Sequence, residues 1–434
     1  MRWFSFAHRE PWHAGEQEFP RYRWVIIGQV IAQQQAAPFI FAMLGILLPA
    51  MQDDLAFSSV QAGWLGTARS AGNLLVFGAS LYLVRFSPIK TFNAFILVLA
   101  GALFVGLLAP NFWVLLLSLA VYSVGVSWGQ IPMNMVRLQW IPPREGATVM
   151  GLLLSANTIT QMAGLILLPI AVHHVSWRVI FAGNCLVLVA CAIGWLLTAY
   201  ERVAPSYAAA LPGGRGLGSA KTVLRRREFY LLGFATLGGA TTFMTFMLFL
   251  PTYYTRERDI SLQTAGFITA VVQLGGLAVN LAAGMISDRL GRRKPLIWPS
   301  GLVLPFLWFL MLAPLPPLGL GMVGFVLGAF AWMPFPIIQT IPLEIPGLSP
   351  SDRAVGQALQ FTLQTSGQLV APIAVGAAAA ATGSYHTALM PLIVLPVAFA
   401  VCMLFFPETG PRGRAARPAE ARATTSTEVV SRGE

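Results

Sequence analysis

The sequence predicts an all-α protein that crosses a membrane twelve times, as two bundles of six helices. Three observations predict this fold. Of the 434 residues, 56% are apolar and only 10% are charged, whereas a soluble domain carries about 25% charged residues. Charged and Pro/Gly-rich breaks divide the chain into twelve apolar segments, each near the roughly 20 residues that a membrane-spanning helix needs. The two halves of the chain also repeat each other.

The twelve spans set the organisation of the chain. They cover residues 24–50, 59–83, 91–109, 112–139, 148–171, 179–199, 229–254, 263–287, 296–313, 318–341, 354–381 and 386–406. The predicted units are an N-terminal tail (1–23), a first bundle (24–199), a central linker (200–228), a second bundle (229–406) and a C-terminal tail (407–434). The C-terminal tail is rich in Pro, Arg, Ala and Thr and is expected to be disordered.

Positive charges predict the orientation, because Lys and Arg collect in cytoplasmic loops. If the N-terminus is cytoplasmic, the outer loops carry only Arg178, Arg256 and Arg258, and nearly all other Lys and Arg residues face the cytoplasm. We therefore expect a multi-pass protein of the cell membrane with both termini cytoplasmic. The net charge of +11 is spread over many segments, which excludes a nucleic-acid-binding patch.

An internal duplication relates the two halves. One region recurs 203 residues later, and its matched pairs are Gln161 and Gln364, Gly164 and Gly367, and Pro169 and Pro372. A second region recurs at an offset of 204, where Trp128 matches Trp332. Apolar composition alone would not keep glutamine, glycine and proline in register. Duplicated halves with a binding site between them are typical of secondary transporters.

Residues 284–294 read GMISDRLGRRK. With the twelve spans and the duplication, this stretch resembles the G-x-x-x-D-R-x-G-R-R/K loop signature of the major facilitator superfamily. The resemblance implies a transporter that works by alternating access and not an enzyme, and we expect no cofactor and no metal. It implies a gating role for the motif residues, which are Gly284, Asp288, Arg289, Gly291, Arg292 and Arg293.

The first-half copy of this loop is degraded, since Val84 stands where Asp288 stands in the second half. The resemblance therefore implies an asymmetric latch, with Asp288 near residues 146–149. Asp288→Asn should then alter transport far more than Val84→Asp. The drug-antiporter motif of span 5 is absent, and Tyr122 occupies the place of the span 4 arginine of proton-coupled exporters. The nitrate- and cyanate-type branches of the superfamily also use membrane-embedded cations, but the glycine-rich nitrate signature is absent from spans 5 and 11. The resemblance therefore implies only small anions in general.

Arg69 is the main candidate for substrate binding. It lies about ten residues into span 2, roughly 15 Å from the outer surface and near the middle of the membrane. No span contains a carboxylate that could neutralise it. A planar guanidinium can grip a carboxylate or an inorganic oxyanion through paired hydrogen bonds. The alternative is a structural arginine satisfied by helix carbonyls and amides. Arg137, near the cytoplasmic end of span 4, is expected to be structural or gating.

Amide side chains could complete the site. The candidate partners of Arg69 are Asn73, Gln33, Gln273, Gln360 and Gln364. Gln357, Gln360, Gln364 and Gln368 form one stripe along span 11, which predicts either a wet path or helix packing. Trp128, Trp332, Tyr253 and Tyr254 are candidates for its walls, with aromatic packing as the alternative.

The leading prediction is thus a monomeric carrier of a small anionic substrate embedded in the lipid bilayer. Because no acid lies within a span, exchange, facilitated diffusion or protons bound by the substrate fit better than a protonated carboxylate. The alternatives are an exporter of lipophilic compounds, with Arg69 structural, and a membrane sensor that no longer transports.

Two other sequence features give little support for a binding site. Residues 213–222 lack the Gly-Lys pair of a phosphate loop, and His173 and His174 make a weak metal site.

Overall fold

The computed structural model describes residues 9–11, 21–74, 76–83, 86–141, 146–203, 221–345, 348 and 350–408. Within these residues, ten helices are long and apolar enough to cross a membrane. Residues 59–74 together with 76–83, and residues 350–382, provide two further helical passages. The described helices therefore confirm the predicted all-α membrane fold with twelve passages.

The helices of the first half follow the predicted spans. They are α1 (Arg23–Leu55), α2 (Ser59–Leu74), α3 (Val76–Leu83), α4 (Pro88–Leu107), α5 (Phe112–Trp140), α6 (Gly146–His174) and α7 (Trp177–Thr198). Helices α2 and α3 together form the second passage. Helix α5 begins at residue 112 because the side chain of Asn111 accepts a hydrogen bond from the backbone N–H of Val114 at 3.1 Å.

The helices of the second half are α8 (Arg227–Glu257), α9 (Leu262–Leu290), α10 (Lys294–Leu312), α11 (Pro317–Trp332), α12 (Pro334–Glu344), α13 (Pro350–Thr382), α14 (Tyr385–Leu389) and α15 (Val397–Phe405). The tenth passage is divided into α11 and α12, and the last contains a 3₁₀ segment, Met390–Val394, between α14 and α15. Prolines lie at these breaks, since Pro334 begins α12 and Pro396 precedes α15. Proline lacks the N–H that would continue a helix.

Two short strands depart from the purely helical prediction. Strand β1 (Arg9–Pro11) pairs in parallel with β2 (Glu201–Val203), and Arg9 lies opposite Glu201. They fall in the segments predicted as the N-terminal tail and the central linker. Runs of three residues are too short to show the alternation by which strands are predicted. The pairing places part of the N-terminal tail beside the end of α7.

The ends of the helices form two faces of the molecule. The N-terminal face is where α1 begins and α7 and α15 end, and the distal face is the opposite one. Helices α1–α7 pack on one another, and so do α8–α15. The halves meet mainly through three helix pairs, which are α2 with α13, α6 with α9, and α1 with α8.

Candidate functional site

The contact between α2 and α13 is closest in the distal part of both helices. A Cβ built on Gly63 would lie only 2.4 Å from the carbonyl oxygen of Pro372, and one built on Gly376 would lie 2.3 Å from that of Ser59. The hydroxyls of Tyr385 and Ser59 are 3.0 Å apart across the same boundary. Backbones that approach this closely leave no passage between α2 and α13 at the distal face.

Charged residues add to this closure at the surface. Arg256, at the end of α8, pairs with Asp53, at the end of α1, with 3.1 Å between Nη2 and Oδ1. Within the first half, Asp54 accepts hydrogen bonds from Arg178 and, at 3.0 Å, from Nε1 of Trp177. Among the ion pairs given for the described residues, the pair between Arg256 and Asp53 is the one that spans the two halves.

Towards the N-terminal face, the same two helix surfaces are uncovered. Gly66 and Asn73 are two turns apart on one face of α2, yet Gly66 is buried and Asn73 is exposed. Pro372 and Phe361 are about three turns apart on one face of α13, yet Pro372 is buried and Phe361 is 40% exposed. The halves therefore touch at the distal face and separate towards the N-terminal face, leaving a cleft open on that side.

Arg69 lies where this separation begins. Its Nη2 atom is 3.3 Å from Sδ of Met244 on α8, and a thioether sulfur is only a weak acceptor. Among the described residues, no carboxylate forms an ion pair with Arg69. The guanidinium thus retains most of its capacity to donate hydrogen bonds.

The backbone around Arg69 is held firmly against α5. Ser123 donates a hydrogen bond to the carbonyl of Arg69 at 2.9 Å and accepts one from the N–H of Gly72 at 2.8 Å. Trp128 donates from Nε1 to the carbonyl of Gly72 at 3.1 Å. These bonds fix the helix, so that the charge is presented at a defined point of the boundary.

A cavity of about 80 Å³ adjoins this point in the second half. Met244, the contact of Arg69, forms part of its wall, as do the predicted residues Gln364 and Trp332. The lining consists of Thr236, Gly239, Ala240, Phe243, Met244, Ala331, Trp332, Pro334, Phe335, Ile338, Gln364 and Phe399. Arg69 and the cavity therefore share one wall residue across the boundary between the halves.

The glutamine stripe of α13 divides between two surroundings. Gln364 lines the cavity, whereas Gln357 donates to Oε1 of Gln339 on α12. Gln360 is fully buried, and neither of its amide atoms has a hydrogen-bond partner among the described residues. Buried polar atoms normally have partners. Gln360 is an exception, because its amide N–H groups and its amide oxygen are both free to bind.

The remaining predicted amides lie in different places. Gln273 on α9 donates to Oε1 of Gln161 on α6 at 2.6 Å, and this bond crosses between the halves. Gln33 is buried within the first half, where it donates to the carbonyl of Cys191 on α7 at 3.4 Å. Asn73 is exposed to the cleft, one turn from Arg69. Asn73 is thus related to Arg69 along α2, and Gln364 is related to it through Met244 in the cavity wall.

Arg137 differs from Arg69 in having amide partners. It donates to Oδ1 of Asn134 at 3.0 Å and to Oε1 of Gln34 on α1. Both amides act as acceptors for its guanidinium. The arrangement ties α5 to α1 near the N-terminal face, which suits the structural role expected for this residue.

Two of the predicted wall residues pack elsewhere. Tyr253 donates to the carbonyl of Leu312 at 2.8 Å, and Tyr254 donates to that of Met311 at 2.9 Å. Both tyrosines are buried against α10, so they fix α8 on α10 and leave Trp332 as the predicted aromatic residue of the cavity.

The motif loop lies at the N-terminal face. Gly284, Asp288 and Arg289 belong to the last turns of α9, and Gly291 follows with a φ of 62°, a conformation that favours glycine. Arg292 is exposed, while Arg293 is 7% exposed and donates from Nη1 to Oγ of Ser287 at 2.8 Å.

The predicted latch joins Asp288 to residues 146–149, and the side chain of Asp288 lies outside the described part of the structure. Val84 and Arg85, in the first-half copy of the loop, also lie outside the described residues.

Glu408, which contacts this loop, is not singled out by the sequence motifs. Glu408 accepts hydrogen bonds from the backbone N–H groups of Arg293, at 2.7 Å, and Lys294, at 3.2 Å. It therefore caps α10 at the end where a negative charge is favourable. The sequence places Glu408 in a tail expected to be disordered, and this is wrong for the residue itself. Its signal is an acid directly after the last span, on the face that carries the basic loop.

Met244 was missed as well. It is one of 15 methionines and nothing in the sequence distinguishes it from residues of the apolar core.

Comparisons with known proteins agree on the type of fold. The family model described as Major Facilitator Superfamily matches residues 36–348. A hexuronate transporter of Bacillus subtilis is 25% identical over 56% of this chain and 60% of its own length. A rice protein, from Oryza sativa subsp. japonica, provisionally named anion transporter 6, is 28% identical over 54% of each chain. The match thus spans little more than half of these two relatives.

Longer matches are found to a further relative and to solved structures. A protein of Haemophilus influenzae, provisionally named a metabolite transport protein, is 24% identical over 88% of this chain and 96% of its own length. The nucleoside transporter NupG has a TM-score of 0.71 at 15% identity over 89% of this chain and 99% of its own. A bacterial homologue of the lysosomal transporter Spinster, inward-facing and unoccupied, has a TM-score of 0.72 at 14% identity over 88% and 97%. At this identity the structures show the fold alone.

Proposed function

Because the chain belongs to the Major Facilitator Superfamily, we propose that it carries a small anion, an organic carboxylate or an inorganic oxyanion, across the membrane by alternating access. Arg69 is the anchor for the anion. The single observation that carries this proposal is a guanidinium at the boundary of the two halves, with a weak sulfur partner and no described carboxylate partner. The names of the hexuronate and anion transporters lend it weak support.

The route follows from the open cleft. An anion that enters from the N-terminal face passes Asn73 and reaches Arg69, where the distal contacts of α2 with α13 stop it. Binding neutralises a charge held near the middle of the membrane, which is costly when it is unpaired. Closing the cleft around a neutral complex therefore costs less than closing it around free Arg69. This difference couples binding to the change of access.

The membrane placement belongs to the same proposal. The N-terminal face carries the basic motif loop and is the cytoplasmic side of the cell membrane, so the cleft opens to the cytoplasm. The protein works as a monomer, because one chain contains both halves. With no acid inside a span, the driving force is exchange, a gradient of the anion, or protons bound by the anion itself.

The test is uptake into proteoliposomes by purified protein, across a set of organic and inorganic anions. Arg69→Gln should reduce anion uptake roughly 10- to 150-fold, since a hydrogen bond to a charged group contributes about 1.5–3 kcal/mol. Arg69→Lys keeps the charge but loses the paired donors, and should lie in between.

Arg137→Gln is the matched control, because it removes a guanidinium that already has amide acceptors. Anion uptake that survives Arg69→Gln, or no anion uptake at all by folded protein, would overturn the proposal.

Export of a lipophilic compound is a second candidate, and the aromatic cavity beside Met244 favours it. In the same vesicles, it predicts flux of neutral lipophilic compounds that is insensitive to Arg69→Gln.

A further inference from the structure

The cavity next to Arg69 has an apolar and aromatic wall. The rings of Phe243 and Phe335 meet Trp332 edge-on, with centroids 5.6 Å and 5.7 Å from that of Trp332. Ile338 and Phe399 continue the wall. Apolar ligands are held by such surfaces because they lose contact with water when they enter.

Few polar atoms of the cavity are free to bind a ligand. The hydroxyl of Thr236 already donates within its own helix, to the carbonyls of Leu232 and Gly233 at 2.9 and 3.0 Å. The amide of Gln364 and the indole N–H of Trp332 are the other polar side-chain groups of the lining. A polyhydroxylated ligand such as a sugar acid would bury several hydroxyls here without partners, and each unpaired hydroxyl weakens binding.

The charge and the apolar wall are adjacent. Met244 contacts Nη2 of Arg69 on one side and lines the cavity on the other. Methionine is flexible and packs well against rings, so it can yield to a ligand that spans both. The cavity of about 80 Å³ is about half of the roughly 150 Å³ that hold a benzene ring in an apolar cavity. A ring bound here therefore also extends towards Arg69.

From this arrangement we infer that the substrate is an amphipathic carboxylate with one compact apolar body, such as an aromatic monocarboxylate, and not a sugar acid. The carboxylate binds Arg69 and the apolar body occupies the cavity beside Trp332. This inference rests on the proposed function and narrows its substrate class.

The experiment compares benzoate, acetate and galacturonate as substrates of the purified protein in proteoliposomes. Benzoate should be transported at least roughly tenfold better than galacturonate, and Arg69→Gln should abolish the difference. In detergent, benzoate should quench tryptophan fluorescence in a saturable way, and Trp332→Phe should remove most of that change.

A cavity-filling variant locates the apolar body. Ala331→Leu places extra carbon atoms in the cavity and should reduce benzoate uptake about tenfold or more while sparing acetate. Ala377→Leu, on an exposed face of α13, is the control and should change neither. The ranking of substrates by the wild-type protein holds independently of whether either variant folds.

The outcomes separate the two proposals. Uptake of galacturonate equal to or above that of benzoate, still dependent on Arg69, overturns this inference and keeps the anion carrier. Equal loss of benzoate and acetate in Ala331→Leu also overturns it. Absence of any uptake dependent on Arg69 overturns both.

Discussion

A methyl group added at Gly63 should open the distal face of the protein. Gly63 lies on α2, and its Cβ would fall 2.4 Å from the carbonyl oxygen of Pro372 and 2.9 Å from Cα of Ile373, both on α13. These helices belong to different halves, so the clash exists only while the halves are closed at the distal face. Gly63→Ala therefore penalises one of the two access states.

The size of the effect follows from the cost of overpacking. Extra carbon atoms in a closely packed site cost about 1–3 kcal/mol. This full cost applies at Gly63, because the contacting atoms belong to the backbone and cannot rotate away. A bias of this size changes the ratio of the two states about 5- to 150-fold. The higher helix propensity of alanine acts on both states and cancels.

Two other glycines provide matched controls. Gly101 on α4 has no neighbour within 4 Å of a built Cβ, so Gly101→Ala should leave access unchanged and raise stability slightly through the higher helix propensity of alanine. Gly72 on α2 would place its Cβ 2.3 Å from the carbonyl oxygen of Ser123, inside the first half. Gly72→Ala should therefore lower the melting temperature without shifting the access equilibrium.

The assay is a distance measurement between spin labels at exposed positions. The three native cysteines are replaced first, and labels are attached at Val175→Cys and Gln263→Cys, near the distal ends of α6 and α9. The distance between these labels reports the opening of the distal face at a place remote from Gly63. Gly63→Ala should increase the population with longer distances, and Gly101→Ala should not. An unchanged distribution in folded Gly63→Ala would refute the assignment of this contact to a closed distal gate.

Two smaller predictions concern charged residues at the two faces. Asp53→Asn removes the ion pair with Arg256; the side chain of Asp53 is 77% exposed and that of Arg256 is 42% exposed. Such pairs contribute at most about 1 kcal/mol, so the same distance assay should show a modest opening. Exchanging the two charges should restore the closed state. Glu408→Gln weakens the cap on the N–H groups of Arg293 and Lys294 and should cost about 1 kcal/mol, seen as a lower melting temperature; an equal melting temperature would contradict the capping role.

Much of the fold could be predicted because a membrane imposes strong rules on sequence. Apolar length predicts each passage, and the segment around Pro88 shows how closely, since the predicted third span (91–109) corresponds to α4. The breaks inside passages are harder to predict. Proline at position 334 coincides with a break between α11 and α12, whereas Pro132 and Pro169 lie inside continuous helices. A single proline is therefore compatible with either outcome in a helix that its neighbours support.

The site could be predicted only in part. Arg69 stands out because a charge inside a span is rare and costly. Its partner Met244 does not, because a thioether in an apolar helix carries no signal until the helices are placed. Gln33 and Gln364 are both glutamines within predicted spans, yet Gln33 packs on α7 and Gln364 lines the cavity. The face of a nearly uniformly apolar helix is set by its neighbours and not by its own pattern.

The placement of polar residues also explains why the halves meet as they do. Helices α2 and α13 are the least apolar of the longer described helices, and they carry Arg69 and the glutamine stripe. Lipid would leave these groups without partners, so each helix is better covered by the other than by the bilayer. The same groups must also reach water when the cleft opens. Polar residues are therefore stable on the surfaces that alternate between contact and water, and this argument supports the proposed anion site at the boundary between the halves.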